Sequence, residues 1–460
     1  MRRFFEMLPG LLAWLTIILM FLLSWLLPAW VAVFIILFDL YWFFKTIFLS
    51  LHLRSTFLKM RKNLKINWLE KLTNNQQQTT NNKLKNEVNG HQSSVVGRWS
   101  DVYHLVILPM YKEPYEVVKE SLESLAKANY PKDKFIVVLA TEEKALRQSS
   151  GQAGETEVDE TAKRIEREFS DKFFSFLVTT HPSNIPGELP GKGSNETWAG
   201  KQAQKLIIDA KNIPYENILT SVFDVDTQVP ADYFGRLTYV FLTCENPQRS
   251  SFQPIPFFTN NIFQSPALGR VISFSSTFWQ MMQQSRPERL TTFSSHSLPF
   301  KALVEIGFWN TNIVSEDSQI FWQCYLHYNG DWRVEPLFYP VSMDATVAPT
   351  VWKTMANLYK QQRRWGWGCE NIPYMFTGFR KNPKIPFRKK LYWGFNVVEG
   401  FHSWATNALL IFALGWLPLF LGGQSFNFTL LSYSLPEITS WIMNLAMFGI
   451  ATSAILSVIL

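Results

Sequence analysis

From Met7 to Phe38 the chain carries no charged residue, and its apolar character runs on past Asp39 to Leu49. One membrane helix needs about 20 apolar residues, so this stretch predicts two short spans hinged near Pro28, a hairpin. Arg2 and Arg3 precede it, and Lys45, Arg54, Lys59, Arg61, Lys62 and Lys65 follow it. The positive-inside rule therefore places both flanks in the cytoplasm. Were the stretch a single span, the stronger downstream cluster would still hold the following domain inside. It is too long, and lacks the small-residue cleavage site, for a signal peptide.

Composition supports a membrane class. Charged residues make up 18% of the chain, below the quarter or so of a soluble domain, while Phe (38) and Trp (18) are abundant. The net charge of +7 gathers beside apolar segments, where it suits anionic lipid rather than nucleic acid. Cys244, Cys324 and Cys369 show no paired spacing, so neither a disulfide framework nor a zinc site is indicated, and a reducing cytoplasm fits.

Leu72 to Gly97 is rich in Asn and Gln and poor in aromatic and branched residues, the composition of a flexible linker. From about Asp101 strand-like and helix-like runs alternate, which predicts a mainly parallel α/β sheet with helices on both faces. The expected strands are His104–Leu108, Phe135–Leu139, Phe173–Val178 and Ile218–Phe223, and the expected helices Tyr115–Ala128, Val158–Phe169 and Glu196–Lys211. Together they make a nucleotide-binding half-fold. Gln148–Glu160 reads as a loop variation without chemistry. Beyond it, Gln253–Pro266 reads as Pro- and Phe-rich loops, followed by a helix near Thr277–Gln284.

Three clusters carry chemistry. In Asn217–Asp226, NILTSVFDVD, an apolar strand ends on two aspartates, and alternation puts Asp224 and Asp226 on one side at the strand's carboxyl end. That edge of an open sheet binds ligands, and two carboxylates there suit Mg²⁺ or Mn²⁺, which completes its shell with water and substrate phosphates. The second cluster is Ser315-Glu316-Asp317-Ser318, where Ser315 can also cap a helix over Gln319–Tyr328 with acids in its first turn. The third is Gln361-Gln362-Arg363-Arg364-Trp365, in a helix-like run from Val351. Arg grips phosphate oxygens in a fork and Trp offers a flat face for a sugar ring; the same residues also suit an interfacial helix with an anchoring tryptophan.

The basic run Arg380–Lys390 leads back to the membrane, where Leu391–Leu421 can supply an interfacial segment and one span, and Ile438–Leu460 another, a minimum count. Glu399 and His402 face a polar pathway if they lie at membrane depth, and are ordinary at headgroup level. The expected organisation is membrane helices over 1–54, a basic and low-complexity linker over 55–100, a catalytic domain over 101–345, amphipathic helices over 346–390 and membrane helices over 391–460.

With these clusters in order, the chain resembles the family 2 glycosyltransferases, and among them the membrane-embedded synthases of the cellulose, chitin and hyaluronan type. The resemblance spans His104 to Gly368 and the flanking membrane helices. It rests on Pro109-Met110-Tyr111-Lys112-Glu113, Gly191-Lys192-Gly193-Ser194-Asn195, Asp224-Val225-Asp226, Ser315-Glu316-Asp317 and Gln361-Gln362-Arg363-Arg364-Trp365. It implies a GT-A (Rossmann-like) domain flanked by transmembrane helices, a catalytic face in the cytoplasm of a plasma or inner membrane, and inversion by single displacement. It also implies roles. Tyr111, Glu113, Glu142, Lys192, Asp224, Gln361 and Arg364 would hold a nucleotide-sugar donor, a UDP-sugar in the first instance. Asp226, with Asp224, would ligate the metal. Asp317, beside Glu316, would be the general base, and Trp365 would hold the acceptor, a growing glycan or a lipid-linked sugar.

Two motifs depart from the family pattern. The second strand closes as Leu139-Ala140-Thr141-Glu142-Glu143, so Glu142 stands in, displaced, for the acid expected to bind the base. Gly-Lys-Gly-Ser-Asn replaces an Ala-rich version. Gly187 to Lys192 is one residue too short for a P-loop, which excludes the ATPase reading. Two other functions remain beside elongation: transfer of a single sugar to a lipid or short acceptor, and a scaffold that has lost turnover.

Overall fold

The computed structural model describes residues 2–76, 98–143 and 157–459. Residues 77–97 of the expected linker and most of Gln148–Glu160 lie outside the described residues. The chain divides into two compact units, Thr56–Gly368 and the pair Met1–Ser55 with Cys369–Leu460.

Thr56–Gly368 is built on a seven-stranded sheet of order β3-β2-β1-β4-β6-β5-β7. The strands are β1 Tyr103–Pro109, β2 Phe135–Glu142, β3 Ser175–His181, β4 Ile218–Val222, β5 Ser250–Phe257, β6 Ser297–Pro299 and β7 Arg333–Ser342. The first four are parallel neighbours. β6 is antiparallel to β4 and β5, and β7 is parallel to β5, so the sheet is mixed but mainly parallel, with β6 alone running against the other strands. All eight residues of β2 are buried, which is why it reads as an unbroken apolar run and not as an alternating one. Tyr115–Ala126, Glu157–Phe169 and Lys192–Ala203 are the crossover helices. Glu157–Phe169 buries Val158, Ala162, Ile165 and Phe169, a stripe spaced by three and four residues.

Strand order sets the place of the site. From β1 the chain steps outward to β2 and β3, then returns to the other side of β1 as β4. At that reversal the loops leaving the carboxyl ends of β1 and β4 diverge and leave a crevice.

The structure places β5 where Pro254 and Pro256 suggest loops, and all eight of its residues are buried. Proline removes a ladder donor, and a register shift between Gln253 and Ile255 absorbs the irregularity. Side chains then satisfy the freed carbonyls. Gln284 donates to the Gln253 carbonyl at 2.8 Å and Thr277 to that of Pro256 at 2.9 Å. Gln284 also accepts from the Phe338 amide on the partner strand. Both side chains come from the helix Ala267–Gln284, which begins well before the predicted Thr277.

Residues 68–76 are helical, with Trp68 and Leu72 buried, where the composition suggests that a linker begins at Leu72. Trp68 belongs to the main core beside Phe234 and Leu237.

The other unit is helical. Arg2–Leu26 and Pro28–Asn63 are both long and apolar enough to cross a membrane, and among the described residues they alone meet that test. The break falls at Leu27, and Pro28 takes the first position of the next helix, where its missing N–H removes no hydrogen bond. The unit boundary at Ser55 lies within this second helix. Phe387–Ala413, Leu417–Leu421, Gly423–Asn427 and Leu430–Ile459 complete the unit. Met20, Val31, Ala32, Ile35, Leu410, Leu414, Phe426 and Leu435 form its core.

Candidate active site

β4 ends at Val222, so Asp224 and Asp226 lie in the turn beyond it, and strand alternation does not orient them. The turn is closed by the Thr227 amide on the Asp224 carbonyl at 2.8 Å. The two carboxylates face different partners. Asp224 accepts from Lys192 Nζ on Oδ1 and from Ser294 Oγ on Oδ2, each at 2.6 Å. Burial works to raise its pKa, but the Lys192 charge and these two bonds, aided by Arg364, outweigh burial and hold it below the ordinary aspartate value. Asp226 accepts the Asp344 amide on Oδ2 at 3.3 Å, while its buried Oδ1 has no partner. Burial first, then the charges of Asp224 and Asp344, push its pKa up to about 8.

An orphaned, buried carboxylate oxygen beside a second carboxylate is the kind of site a divalent cation relieves. Among the described residues no three or more His, Cys, Asp or Glu side chains form a complete cage. Mg²⁺ does not need one, since one or two carboxylates and substrate phosphates suffice. The residues present fit such an ion.

Lys192 opens the helix Lys192–Ala203, four residues earlier than the predicted Glu196, and a π-turn over Gln204–Ile208 replaces its expected last turns. Gly191, at φ +154°, makes the entry. The first turn is pinned to its surroundings. Ser194 donates to the carbonyls of Leu189 and Thr311, Asn195 to Ala140, and Thr197 to Trp309. The Ala140 carbonyl also accepts the Met110 amide, so one acceptor joins the ends of β1 and β2 to this helix. A helix N-terminus with a lysine at its mouth suits a phosphate. Lys192 reaches Asp224 at 2.6 Å, Glu196 at 3.5 Å and Glu316 at 3.9 Å. Burial disfavours its charge, but Asp224, Glu196 and Glu316 outweigh burial and hold the ammonium well above the ordinary lysine value.

Gly193 allows the approach of Glu316. A Cβ there would lie 3.0 Å from the Asn310 carbonyl oxygen and 3.0 Å from Glu316 Cβ. Gly193→Ala is therefore expected to destabilise the fold by about 1–3 kcal/mol and to weaken donor binding. Thermal unfolding in detergent with donor titration checks this; an unchanged midpoint and affinity would refute the close fit.

The helix Glu316–His327 starts three residues before the predicted Gln319. Ser315 sits at the cap position, but its side chain makes no capping hydrogen bond. Glu316 is 6% exposed and faces Lys192, and its pKa rises to about 7 through burial and the Asp317 charge against the pull of Lys192. Asp317 is less buried and accepts the Ser318 amide at 2.7 Å. Burial raises its pKa, Asp224 adds to this, and Lys192, the Ser318 bond and Arg364 oppose. Arg364 thus lies within electrostatic reach of both Asp224 and Asp317.

Arg364 is delivered by the helix Val351–Gly366, which Thr350 caps by accepting the Lys353 amide at 3.2 Å. On the same helix Gln361 accepts from Thr346 at 3.4 Å, and Arg364 and Trp365 are exposed. Lys192, Asp224, Asp226, Glu316, Asp317 and Arg364 therefore form one electrostatic cluster. Tyr111, Glu113 and Glu142 lie at the carboxyl ends of β1 and β2. Glu113 folds back to accept the amides of Tyr111 and Lys112 at 2.7 and 3.1 Å, shaping the loop after β1. Glu142 is the last residue of β2, level with His181 on β3.

Three residues of the cluster escape sequence reasoning. Glu196 is fully buried against Lys192, and burial raises its carboxyl pKa well above the ordinary range, against the pull of the Lys192 charge. Its position one turn after Lys192 was the available signal. Ser294 and His296 have none, since they arrive from a loop distant in sequence. His296 Nδ1 donates to the Phe293 carbonyl, its buried Nε2 is unpartnered, and burial lowers its pKa to about 4, so it is neutral.

A lysine at a helix N-terminus, paired acids beyond the carboxyl end of β4 and an incoming arginine are groups whose chemistry suits a phosphorylated substrate. The family model described as Glycosyl transferase family group 2 matches residues 220–455, more than half of the chain, and the protein belongs to that family. It is a family 2 glycosyltransferase. No curated protein matches the chain. The solved structures remotely similar to the chain include the following two. The mannosyltransferase PcManGT from Pyrobaculum calidifontis, in complex with GDP-Man and Mn²⁺, is 13% identical over 87% of this chain and 99% of that one, with a TM-score of 0.43. S. aureus TarS 1–349, in complex with UDP-GlcNAc, is 15% identical over 75% and 90%, with a TM-score of 0.33.

Proposed function

We propose that the protein is an inverting, metal-dependent glycosyltransferase of GT-A type that uses a cytoplasmic nucleotide-sugar to elongate a glycan at a plasma or inner membrane. The convergence of Lys192, Asp224, Asp317 and Arg364 on the crevice beside β4 carries the reading. The two apolar N-terminal helices, the apolar stretch Ile438–Leu460 and the basic flanks support a multi-pass placement among membrane lipids.

In this mechanism the loop Tyr111–Glu113 and Glu142 border the nucleoside, and Lys192 and Arg364 neutralise the diphosphate. Asp317 takes the proton of the acceptor hydroxyl as its oxygen bonds to the anomeric carbon. The bond from that carbon to the diphosphate breaks on the opposite face, and the electron pair leaves with the diphosphate. Lys192, held cationic, and Arg364 stabilise the charge that develops there. A divalent ion held by Asp226 with Asp224 would supply Lewis-acid stabilisation of the same leaving group. Glu316 and Glu196 set the position of Lys192. Trp365, exposed beside Arg364, offers a face to the acceptor sugar.

The test is product size. Membranes carrying wild type or Trp365→Ala are given a panel of labelled nucleotide sugars with Mg²⁺ or Mn²⁺. A long polymer from one donor, shortened in Trp365→Ala while donor hydrolysis stays within about threefold, is expected. A single-sugar lipid product would replace elongation by single transfer. Equal loss of elongation and hydrolysis would remove the acceptor role of Trp365.

A further inference from the structure

Within the helical unit Arg2–Leu26, Pro28–Asn63 and Phe387–Ala413 line an open-sided pocket of about 520 Å³, with Trp30, Phe34 and Tyr41 of its lining exposed. Its walls are Leu19, Met20, Leu23, Val31, Leu410 and Leu414. Protein interiors close-pack, and an apolar void of this size would forfeit dispersion contacts along its whole lining. Its lining offers water few polar partners, so an apolar occupant is favoured over water. The volume lies in the range of ligand pockets.

The few polar groups sit together. Thr16 and His402 pair at 2.8 Å, and Ser403 donates to Glu399, which lies 3.7 Å from Lys45. Two donors remain for an occupant. The indole Nε1 of Trp42 is buried without a partner, and Asn407 makes no hydrogen bond among the described residues. The Lys45 ammonium stands 4.5 Å over the Trp42 ring, so a cation, ion-paired with Glu399, lies beside these donors. A glycan would bring several hydroxyls per ring, each needing a partner, and two donors cannot serve them. A hydrocarbon chain needs none.

We infer that this pocket is a binding site for one lipid, its hydrocarbon chain in the apolar chamber and its phosphate head at Trp42, Asn407 and Lys45. The site rests on the membrane placement proposed above and not on the transfer reaction. Its occupant is a bilayer phospholipid or a polyprenyl phosphate, which share this chemistry.

Membranes carrying the full chain are irradiated with phosphatidylglycerol or polyprenyl phosphate bearing a mid-chain diazirine, and adducts are mapped by peptide mass spectrometry. Adducts are expected to concentrate on residues 16–42 and 402–414. Val31→Trp, which fills the chamber, should remove them. Trp42→Phe keeps the ring and deletes the N–H, and should weaken labelling roughly two- to tenfold. Asp317→Asn, expected to be strongly impaired in transfer, should label like wild type, which separates this site from the catalytic reading. Labelling by the phospholipid alone identifies a resident bilayer lipid, and labelling by the polyprenyl probe a lipid-linked substrate. Adducts spread evenly over lipid-facing helices, unchanged in Val31→Trp and Trp42→Phe, would overturn the proposal, as would capture of an oligosaccharide probe there in place of lipid.

Discussion

Asp317→Asn is expected to lower sugar transfer by about 10²- to 10⁴-fold, the range a positioned general base supplies, while donor affinity changes by no more than about threefold. The reason lies in the division between the two neighbouring acids. Glu316 is 6% exposed and turned to Lys192, so it is committed to the donor side. Asp317 is more accessible, and burial raises its pKa above that of a solvated aspartate, which improves it as a proton acceptor. Glu316→Gln should accordingly raise KM more than it lowers kcat. Donor titration and single-turnover transfer on the two variants separate these effects. Near-wild-type transfer by Asp317→Asn would end its assignment as base.

Removal of divalent metal should lower turnover by about a hundredfold or more, since Lewis-acid stabilisation is worth several kcal/mol. The metal's affinity should also depend on pH. With a pKa near 8, Asp226 holds a proton at neutral pH in the metal-free protein, and a cation must displace it. Apparent affinity therefore rises by about tenfold per pH unit up to about pH 8 and levels off above it. Asp226→Asn should weaken binding and flatten that slope. Calorimetric titration of Mn²⁺ between pH 6 and 9 reads both quantities. Full activity in chelator, or a slope unchanged in Asp226→Asn, would take Asp226 out of the metal site.

Much of the sheet is legible from local pattern. β1 and β2 announce themselves as short continuous apolar runs, because parallel strands are covered on both faces. The stripe on Glu157–Phe169 marks its buried side for a similar reason. β5 and β7 stay hidden. Their prolines argue against strands, and side chains apart from both strands, Gln284, Thr277, Arg236 and Asn63, satisfy the backbone groups left over. Hydrogen bonds between residues that far apart leave no periodic trace.

The site divides in the same way. Which residues carry charge, and that Asp224, Asp317 and Arg364 come in motifs, can be read along the chain. Their protonation cannot. Asp224 and Asp226 are two residues apart, yet one is held ionised by Lys192 and Ser294 while the other is raised to about 8. Burial and neighbouring charge decide that difference, and both belong to the folded chain. Sequence alone determined the alternation of elements, the long apolar N-terminal helices and the identity of the reactive groups, because these depend on neighbours within a few residues. The tertiary structure decided the switch in strand order beside β1, the meeting of Lys192 with Asp224 and Glu316, and the buried partners Glu196, Ser294 and His296, because each requires segments distant in sequence to pack against one another.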